Sequence, residues 1–185
     1  MDELKAKKLL FEVADCLEEL DFSYFLYGGT LLGAIREKKF IEIDRDIDLG
    51  CLMEDFKPRA FEIRDKFLAN DIRFEFVDHR HKAPWDGTPY CIKFYKYGEH
   101  GDFVAWTKKD KDRFCPSHAN DYALIHPALL LEELGQVEFY GRTFSIPKDF
   151  DTFLKHKYGD WRTPHKKFYN LSRPGCRVYN YDCQI

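Results

Sequence analysis

A glycine pair, a short segment of helical character and two alternating aspartates follow one another between residues 27 and 51. The segment reads Y-G-G-T-L-L-G-A-I-R-E-K-K-F-I-E-I-D-R-D-I-D-L-G-C. In a strand, Asp46 and Asp48 would point to the same face, because successive side chains alternate. Two neighbouring carboxylates repel each other unless a cation lies between them. Carboxylate oxygens are hard ligands that suit Mg²⁺ or Mn²⁺, so the pattern predicts a metal site at Asp46 and Asp48.

The residues before the aspartates predict a phosphate-binding turn. Gly28 and Gly29 expose backbone N–H groups at the start of a helix, where a phosphate can approach closely. Thr30 is predicted to cap a helix that continues to about Glu37. Arg36 could contact a phosphate oxygen through two N–H groups. A glycine pair alone usually marks a turn, but beside a metal site it indicates phosphoryl or nucleotidyl transfer.

A two-metal site usually needs a third carboxylate, and Asp102 is the best candidate. It begins the strand-like run D-F-V-A-W, with Glu99 as the alternative. We therefore expect Asp46, Asp48 and Asp102 to be both the metal ligands and the catalytic residues. The competing interpretation makes Asp102 a turn-capping acid and the Asp46–Asp48 pair a solvated strand edge. Aspartate is a poor strand residue, which favours the functional interpretation of the pair.

Length and charge limit the classes of protein to consider. The chain has 185 residues and a formal net charge of −3. One domain is the default at this length, and the charge gives no general attraction to nucleic acid. We find no apolar run long enough to span a bilayer and no apolar signal core at the N-terminus. The sequence therefore predicts a cytoplasmic protein without a membrane anchor.

The six cysteines form no C-x-x-C pair and are spread along the chain. In a cytoplasmic protein they are expected to be reduced and mostly structural. An alternative zinc site would combine Cys115 and His118 with Cys176 and Cys183. The second pair is not closely spaced, so free thiols are the favoured interpretation.

Hydrophobic periodicity and turn residues predict an alternation of helices and strands. Predicted helices lie at 3–20, 30–37, 55–69, 127–134 and 150–158, and predicted strands at 23–27, 46–52, 72–77, 90–97, 102–106, 137–140 and 143–146. Leu4 belongs to the apolar stripe of the helix at 3–20. Asp55 is predicted to cap the helix at 55–69, with Leu68 on its inner face. Gly50 is predicted to interrupt the strand at 46–52 near its end. Residues 107–120 are mostly polar and show no periodicity. This order predicts an α+β (mixed α/β) fold, a small mixed sheet flanked by helices. The single domain has a core at about 3–164 and a tail at 165–185.

The glycines, the Asp-x-Asp pair and the later strand aspartate together resemble the nucleotidyltransferase superfamily. Within it the chain resembles the LicD family, whose relatives include fukutin and fukutin-related protein. The resemblance rests on G-G-T-L-L-G-A-I-R-E-K-K-F-I-E-I-D-R-D-I-D-L at 28–49 and on F-S-I-P-K-D-F-D-T-F-L-K-H-K-Y-G-D-W-R-T-P at 144–164. Family members typically show W-D-D-D-I-D where this chain has Ile43-Asp44-Arg45-Asp46-Ile47-Asp48. Arg45 thus replaces an acid, while Asp46 and Asp48 are present.

The resemblance implies transfer of a phosphorylated alcohol from a CDP-linked donor to a hydroxyl of a sugar or glycan. Phosphocholine from CDP-choline and ribitol phosphate from CDP-ribitol are donor groups known in the family. The implied cofactor is Mg²⁺ or Mn²⁺. The implied donor site contains Gly28, Gly29, Thr30 and Arg36.

Two other functions remain open at this point. A nucleotidyltransferase would move a nucleoside monophosphate onto a small molecule or protein, although the Y-G-D-W block at 158–161 argues against it. A pseudoenzyme would bind nucleotide or glycan without turnover, and three intact acids argue against that. The identity of the released product, CMP or pyrophosphate, separates the two enzyme classes.

Overall fold

The computed structural model describes residues 1–78, 89–116 and 123–164. Within them the helices are α1 (Glu3–Glu19), α2 (Gly28–Leu32), α3 (Met53–Ala69), α4 (Leu129–Glu132) and α5 (Phe150–Tyr158), and a π-helical turn (Gly33–Glu37) follows α2. The strands are β1 (Phe25–Leu26), β2 (Ile47–Leu52), β3 (Arg73–Val77), β4 (Cys91–Lys96), β5 (Glu99–Lys109), β6 (Asp112–Pro116), β7 (Ala123–Pro127), β8 (Leu134–Phe139) and β9 (Arg142–Pro147).

The described strands form one large mixed sheet and a separate hairpin. The large sheet has the order β1-β2-β5-β4-β3, with β6 added to the end of β5 and β7 paired to β6. Strands β2 and β5 run parallel, while the other neighbours are antiparallel. Strands β8 and β9 pair only with each other within this part of the chain. The predicted mixed α/β fold with a mixed sheet is therefore confirmed, although the sheet is larger than expected.

Two amphipathic helices cover the sheet. Helices α1 and α3 pack against each other and against β5. The ring of Phe103 on β5 meets Phe22 and Phe56 edge to face, with centroids 5.9 and 6.0 Å apart. Phe103 and Phe56 are completely buried, so burial of large apolar rings accounts for much of this packing.

The structure corrects three predictions about helices. Helix α2 begins at Gly28 with Tyr27 at the N-cap, so Thr30 lies inside the helix and is not its cap. Helix α3 begins at Met53, which places Asp55 in its first turn and not at its cap. Leu68 was expected on the inner face of α3, but it is 53% exposed, because the buried stripe ends at Phe67.

Two strand predictions also need correction. Residues 107–120 were expected to lack regular structure, yet β5 continues to Lys109 and β6 follows, each stabilised by pairing with its neighbour. Gly50 was expected to interrupt β2, which instead continues through it to Leu52. A Cβ atom at Gly50 would lie 2.4 Å from the ring of Phe25 on β1. The glycine therefore makes room for a neighbouring side chain and does not end the strand.

Candidate metal and donor site

Three aspartates meet where the chain enters β2. Carboxylate oxygens of Asp44, Asp46 and Asp48 all lie within 4.8 Å of one another. Strand β2 begins at Ile47, so Asp46 lies one residue before the strand and Asp48 inside it. No other group of three potential ligands of this kind occurs in the described residues. The predicted pair is thus brought together, and Asp44 joins it.

The absence of side chains at Gly28 and Gly29 leaves room for the carboxylates of Asp48 and Asp44. A Cβ atom on Gly28 would lie 2.0 Å from Oδ2 of Asp48, and one on Gly29 would lie 1.8 Å from Oδ2 of Asp44. Gly28 also has a φ of +54°, which glycine adopts without strain. The N–H of Gly29 donates to Oδ2 of Asp48 at 2.7 Å. At this turn, glycine is needed because the acids themselves approach the backbone.

Thr30 takes part in the site through its side chain. Its hydroxyl oxygen accepts a hydrogen bond from the backbone N–H of Asp48 at 2.8 Å. In addition, the backbone N–H of Tyr27 donates to the carbonyl oxygen of Asp48 at 3.1 Å. Three contacts with 27–30 therefore hold Asp48 by its backbone and its carboxylate. This arrangement fixes the orientation of Asp48 before any ligand binds.

Asp102 lies next to Asp48 on the adjoining strand. The two residues are direct partners in the parallel register of β2 and β5, so their side chains leave the same face of the sheet. Nζ of Lys93 on β4 lies 3.0 Å from Oδ1 of Asp102. Burial lowers the pKa of Lys93, but attraction to Asp102 outweighs that effect and raises it. Asp102 is thus next to Asp48 and paired with the ammonium of Lys93.

Glu99, the alternative third acid, lies at the start of β5, where its carboxylate accepts from the backbone N–H of Asp2 at 2.9 Å.

Burial and mutual repulsion dominate the electrostatics of the three acids. Burial raises the pKa of Asp44 to about 7, and the charge of Asp46 adds to this rise. Burial also raises the pKa of Asp48 well above its ordinary value, followed by the charges of Asp46 and Asp44. The positive charge of Lys157 and the N–H of Gly29 oppose this rise without cancelling it. The cluster therefore holds more negative charge than its surroundings neutralise.

Arg36 joins the turn after α2 to the segment after α5. Its Nε donates to Glu37 at 2.7 Å, and its Nη1 donates to the backbone carbonyl of Trp161 at 2.8 Å. The indole N–H of Trp161 donates to Asp151 at 3.1 Å, and the residue is 6% exposed. Gly159, with φ of +71°, turns the chain so that this contact forms. The Y-G-D-W block thus packs next to the site, and the predicted phosphate contact of Arg36 stays a prediction.

The sequence prediction missed three residues of this region. Asp44 carries a visible signal, since it precedes the two predicted ligands in D-R-D-I-D, but it was not among the predicted ligands. The side chain of Arg45 is exposed, and its backbone N–H donates to Asp44 at 3.1 Å. Lys93 and Lys157 lie far from the motif in the sequence. The register of β4 and β5 brings Lys93 to Asp102, and the docking of α5 brings Lys157 to Tyr27.

The alternative zinc site is only partly within the described residues. Cys115 is buried, and burial raises the pKa of its thiol strongly. His118, Cys176, Cys183 and the rest of the tail at 165–185 lie outside the described residues. Among the described residues, Cys16, Cys51, Cys91 and Cys115 form no disulfide.

A mixed α/β domain with carboxylates beside a glycine turn is the arrangement of the nucleotidyltransferase class. The chain belongs to the LicD family, because residues 21–149 match the family described as LicD/FKTN/FKRP, nucleotidyltransferase domain. The resemblance to the LicD family is thereby confirmed, and the matched residues include the whole motif at 28–49 and the first six residues of the motif at 144–164.

Curated relatives carry transferase names. The chain is 39% identical over 54 residues to the ribitol-5-phosphate transferase FKTN of Mus musculus, which covers 29% of this chain and 12% of the relative. It is 26% identical over 165 residues to the ribitol 5-phosphate transferase FKRP of Homo sapiens, covering 80% of this chain and 30% of the relative. The matches span between 12% and 55% of the lengths of the curated relatives.

A solved structure shares the fold. The crystal structure of ANT(2'')-Ia in complex with adenylyl-2''-tobramycin superimposes with a TM-score of 0.50 at 17% identity. The match covers 80% of this chain and 75% of that chain.

Within the described ranges, none of the helices has the length and apolar character needed to cross a membrane.

Proposed function

We propose that this protein is a metal-dependent transferase that moves a phosphorylated alcohol from a CDP-linked donor to a hydroxyl of a glycan. Membership of the LicD family and the names of its relatives support the class of reaction. The observation that carries the proposal is the cluster of Asp44, Asp46 and Asp48 at the glycine turn. Phosphocholine and ribitol phosphate are the first groups to test as the transferred part.

The charges of the cluster fit a divalent cation. Three carboxylates approach within 4.8 Å, and the pKa values of Asp44 and Asp48 are raised, first by burial and then by the charges of the neighbouring acids. Oxygen ligands of this kind suit Mg²⁺ or Mn²⁺. Asp46 and Asp48 are the proposed ligands, with Asp44 added by the structure and Asp102 as the candidate for a second ion. When bound, the ion would offset negative charge on the donor diphosphate and on the leaving CMP.

The residues of the chain have separate tasks in this proposal. Gly28 and Gly29 admit the carboxylates and let a phosphate come close to the backbone. Thr30 and Gly29 hold Asp48 in one orientation, which lowers the cost of ordering the site when ligands bind. Arg36 fixes the segment after α5 beside the turn. This segment therefore belongs to the same structural unit as the acid cluster.

Asp102 is the proposed acceptor of the hydroxyl proton. In the transfer, the acceptor oxygen forms a bond to the phosphorus that carries the alcohol, and the bond from that phosphorus to CMP breaks. The proton of the acceptor hydroxyl must leave, and a carboxylate within hydrogen-bond reach can take it. Lys93 orients the carboxylate of Asp102 through the 3.0 Å contact. Coordination of a second ion by Asp102 is the alternative task.

Product analysis tests this proposal. Purified protein is incubated with CDP-ribitol, CDP-choline or CDP-glycerol, Mg²⁺ and a panel of glycans, and CMP is quantified. The proposal predicts CMP release that needs both the metal and an acceptor. Parallel reactions with CTP or ATP are analysed for pyrophosphate. Pyrophosphate release without CMP release from any CDP-alcohol would replace the proposal by nucleotidyl transfer.

A binding screen identifies the donor before an acceptor is known. The same CDP-alcohols, with CTP and ATP, are compared by thermal shift in Mg²⁺. A ligand that binds only the folded state raises stability by RT ln(1 + [L]/Kd), so the Tm rises with its concentration. The proposal predicts a larger rise for one CDP-alcohol than for CTP or ATP. Equal shifts for all five, or none, contradict a CDP-alcohol donor site.

A further inference from the structure

Lys157, near the end of α5, contacts the residue that begins the glycine turn. Its Nζ lies 2.5 Å from the hydroxyl oxygen of Tyr27 and 4.0 Å from the centroid of that ring. Tyr27 is the N-cap of α2 and also binds the backbone of Asp48. A cation from α5 is thereby held at the first residue of the glycine turn.

Two side chains contact the hydroxyl of Tyr27. A lysine ammonium only donates, so the hydroxyl oxygen of Tyr27 accepts from Lys157. Nε2 of His126 lies 3.3 Å from the same hydroxyl oxygen. His126 is completely buried, and burial, with the charges of Lys157 and His156, keeps its pKa well below the ordinary value. The buried imidazole therefore holds the hydroxyl in place, and the hydroxyl holds the ammonium.

Tyr27 links Lys157 to the acid cluster. Its side-chain hydroxyl contacts the ammonium, and its backbone N–H donates to the carbonyl oxygen of Asp48 at 3.1 Å. Unlike His126, Lys157 is only partly buried. A partly accessible cation, held at the first residue of the glycine turn, is suited to bind an anion that arrives with the metal.

We propose that Lys157 binds the diphosphate of the donor and that Tyr27 is its positioning residue. This inference rests on the proposed function, because it assumes a nucleoside diphosphate donor at the acid cluster. A purely structural task is the competing explanation, in which Lys157 only fastens α5 to Tyr27. The two explanations differ in what they predict for metal binding without nucleotide.

Calorimetric titration of CDP in Mg²⁺ measures the contribution of Lys157. Lys157→Met is expected to weaken CDP binding about 30-fold, within the range for loss of a hydrogen bond to a charged group. Lys157→Arg keeps the charge and is expected to stay within about fivefold of wild type. Lys155→Met is the matched control, because Lys155 is exposed on the same helix, and its affinity for CDP should not change. Tyr27→Phe should weaken CDP binding less than Lys157→Met, because the ammonium remains.

Titration of Mn²⁺ without nucleotide separates the two explanations. Removal of a neighbouring positive charge should leave Mn²⁺ binding by Lys157→Met unchanged or tighter, while CDP binding weakens. A merely structural lysine predicts that Mn²⁺ and CDP binding weaken together, and that result would overturn the inference. If Lys157→Met does not fold, Lys157→Gln, which retains a donor for Tyr27, takes its place in both titrations.

The outcomes for the inference and for the proposed function are distinguishable. If wild type binds CDP and Lys157→Met binds it as tightly as Lys155→Met, the inference fails while the donor site stands. If wild type binds neither CDP nor any CDP-alcohol in Mg²⁺, the proposed function fails, and the inference fails with it.

Discussion

Replacement of Asp44 by asparagine is expected to stabilise the metal-free protein at pH 8 and to destroy its response to metal. The carboxyl of Asp44 has its pKa raised from 3.8 to about 7, first by burial and then by the charge of Asp46. Because the folded-state pKa is the higher one, the ionised carboxylate opposes folding. Asparagine is similar in size and removes the charge.

The size of the effect follows from the pKa shift. A rise of about 3 pKa units corresponds to about 4 kcal/mol of lost stability at a pH above both values. Asp44 is only partly buried, and solvent screening reduces this figure to about 2 kcal/mol. For a domain of this size, that corresponds to a rise in Tm of roughly 4–8 °C.

The dependence on pH gives this prediction a second test. The contribution of Asp44 to the stability of the wild type should fall as pH rises from about 4 to about 7, because its carboxyl binds the extra proton in the native state in this window. The advantage of Asp44→Asn in EDTA should therefore be largest at pH 8, less than half as large at pH 5, and absent below pH 4.

Melting curves in EDTA between pH 4 and pH 8, and at pH 8 with Mg²⁺ plus CDP, provide the assay. Asp65→Asn is the control, since Asp65 is exposed on α3 and its replacement should change stability by less than about 0.5 kcal/mol. A clear drop in the Tm of Asp44→Asn at pH 8 in EDTA would refute the reasoning. It would mean that Asp44 stabilises the fold as a carboxylate, as in a structural ion pair.

Other substitutions test individual parts of the site. Asp48→Asn and Asp102→Asn should each lower kcat by at least about 100-fold in a CMP-release assay while the protein stays folded. Gly29→Val should abolish Mn²⁺ and CDP binding, measured by titration calorimetry, because its side chain would occupy the position of the Asp44 carboxylate. Arg36→Lys should lower stability by about 1 kcal/mol in denaturant titrations and weaken CDP binding, since lysine cannot donate to the carbonyl of Trp161 and to Glu37 in the same geometry.

Controls make these results interpretable. Gly135→Val tests a glycine on β8 whose added Cβ would meet only an ordinary contact at 3.4 Å from Lys148, so ligand binding should not change. Normal binding of Mn²⁺ and CDP by Gly29→Val would contradict the close approach of the glycine turn and the acids. Unchanged stability and CDP affinity in Arg36→Lys would show that the contact with the Y-G-D-W block has no consequence.

Local sequence patterns predicted most elements of the fold. Helix α5 has the predicted limits, and α1 ends one residue before its predicted end. Strands β6 and β7 were not predicted, because they depend on long-range pairing. Strand β6 pairs with the C-terminal end of β5, and β7 pairs with β6. Leu4 was counted in the apolar stripe of α1, yet it is 80% exposed, since the first turn extends beyond the covered surface.

In the candidate site, too, local spacing predicts some of the residues, whereas strand pairing and helix docking determine the others. The spacing of Asp46 and Asp48, and the glycines before them, predicted a cluster that the structure brings together. The position of Asp102 beside Asp48 follows from the parallel register of two strands, which no local pattern determines. Lys157 is 130 residues from its partner Tyr27, so only the docking of α5 reveals its contact with the glycine turn.

CMP release from a CDP-alcohol by wild type and by Asp48→Asn, each with Mg²⁺ and with EDTA, tests the central claim most directly. The claim predicts acceptor-dependent release by wild type in Mg²⁺ and none in EDTA. Asp48→Asn should show at most about one hundredth of that rate while its Tm in EDTA is equal to or higher than that of wild type. Near-normal release by Asp48→Asn, or release by wild type that is unaffected by EDTA, would contradict a metal-dependent site at these aspartates.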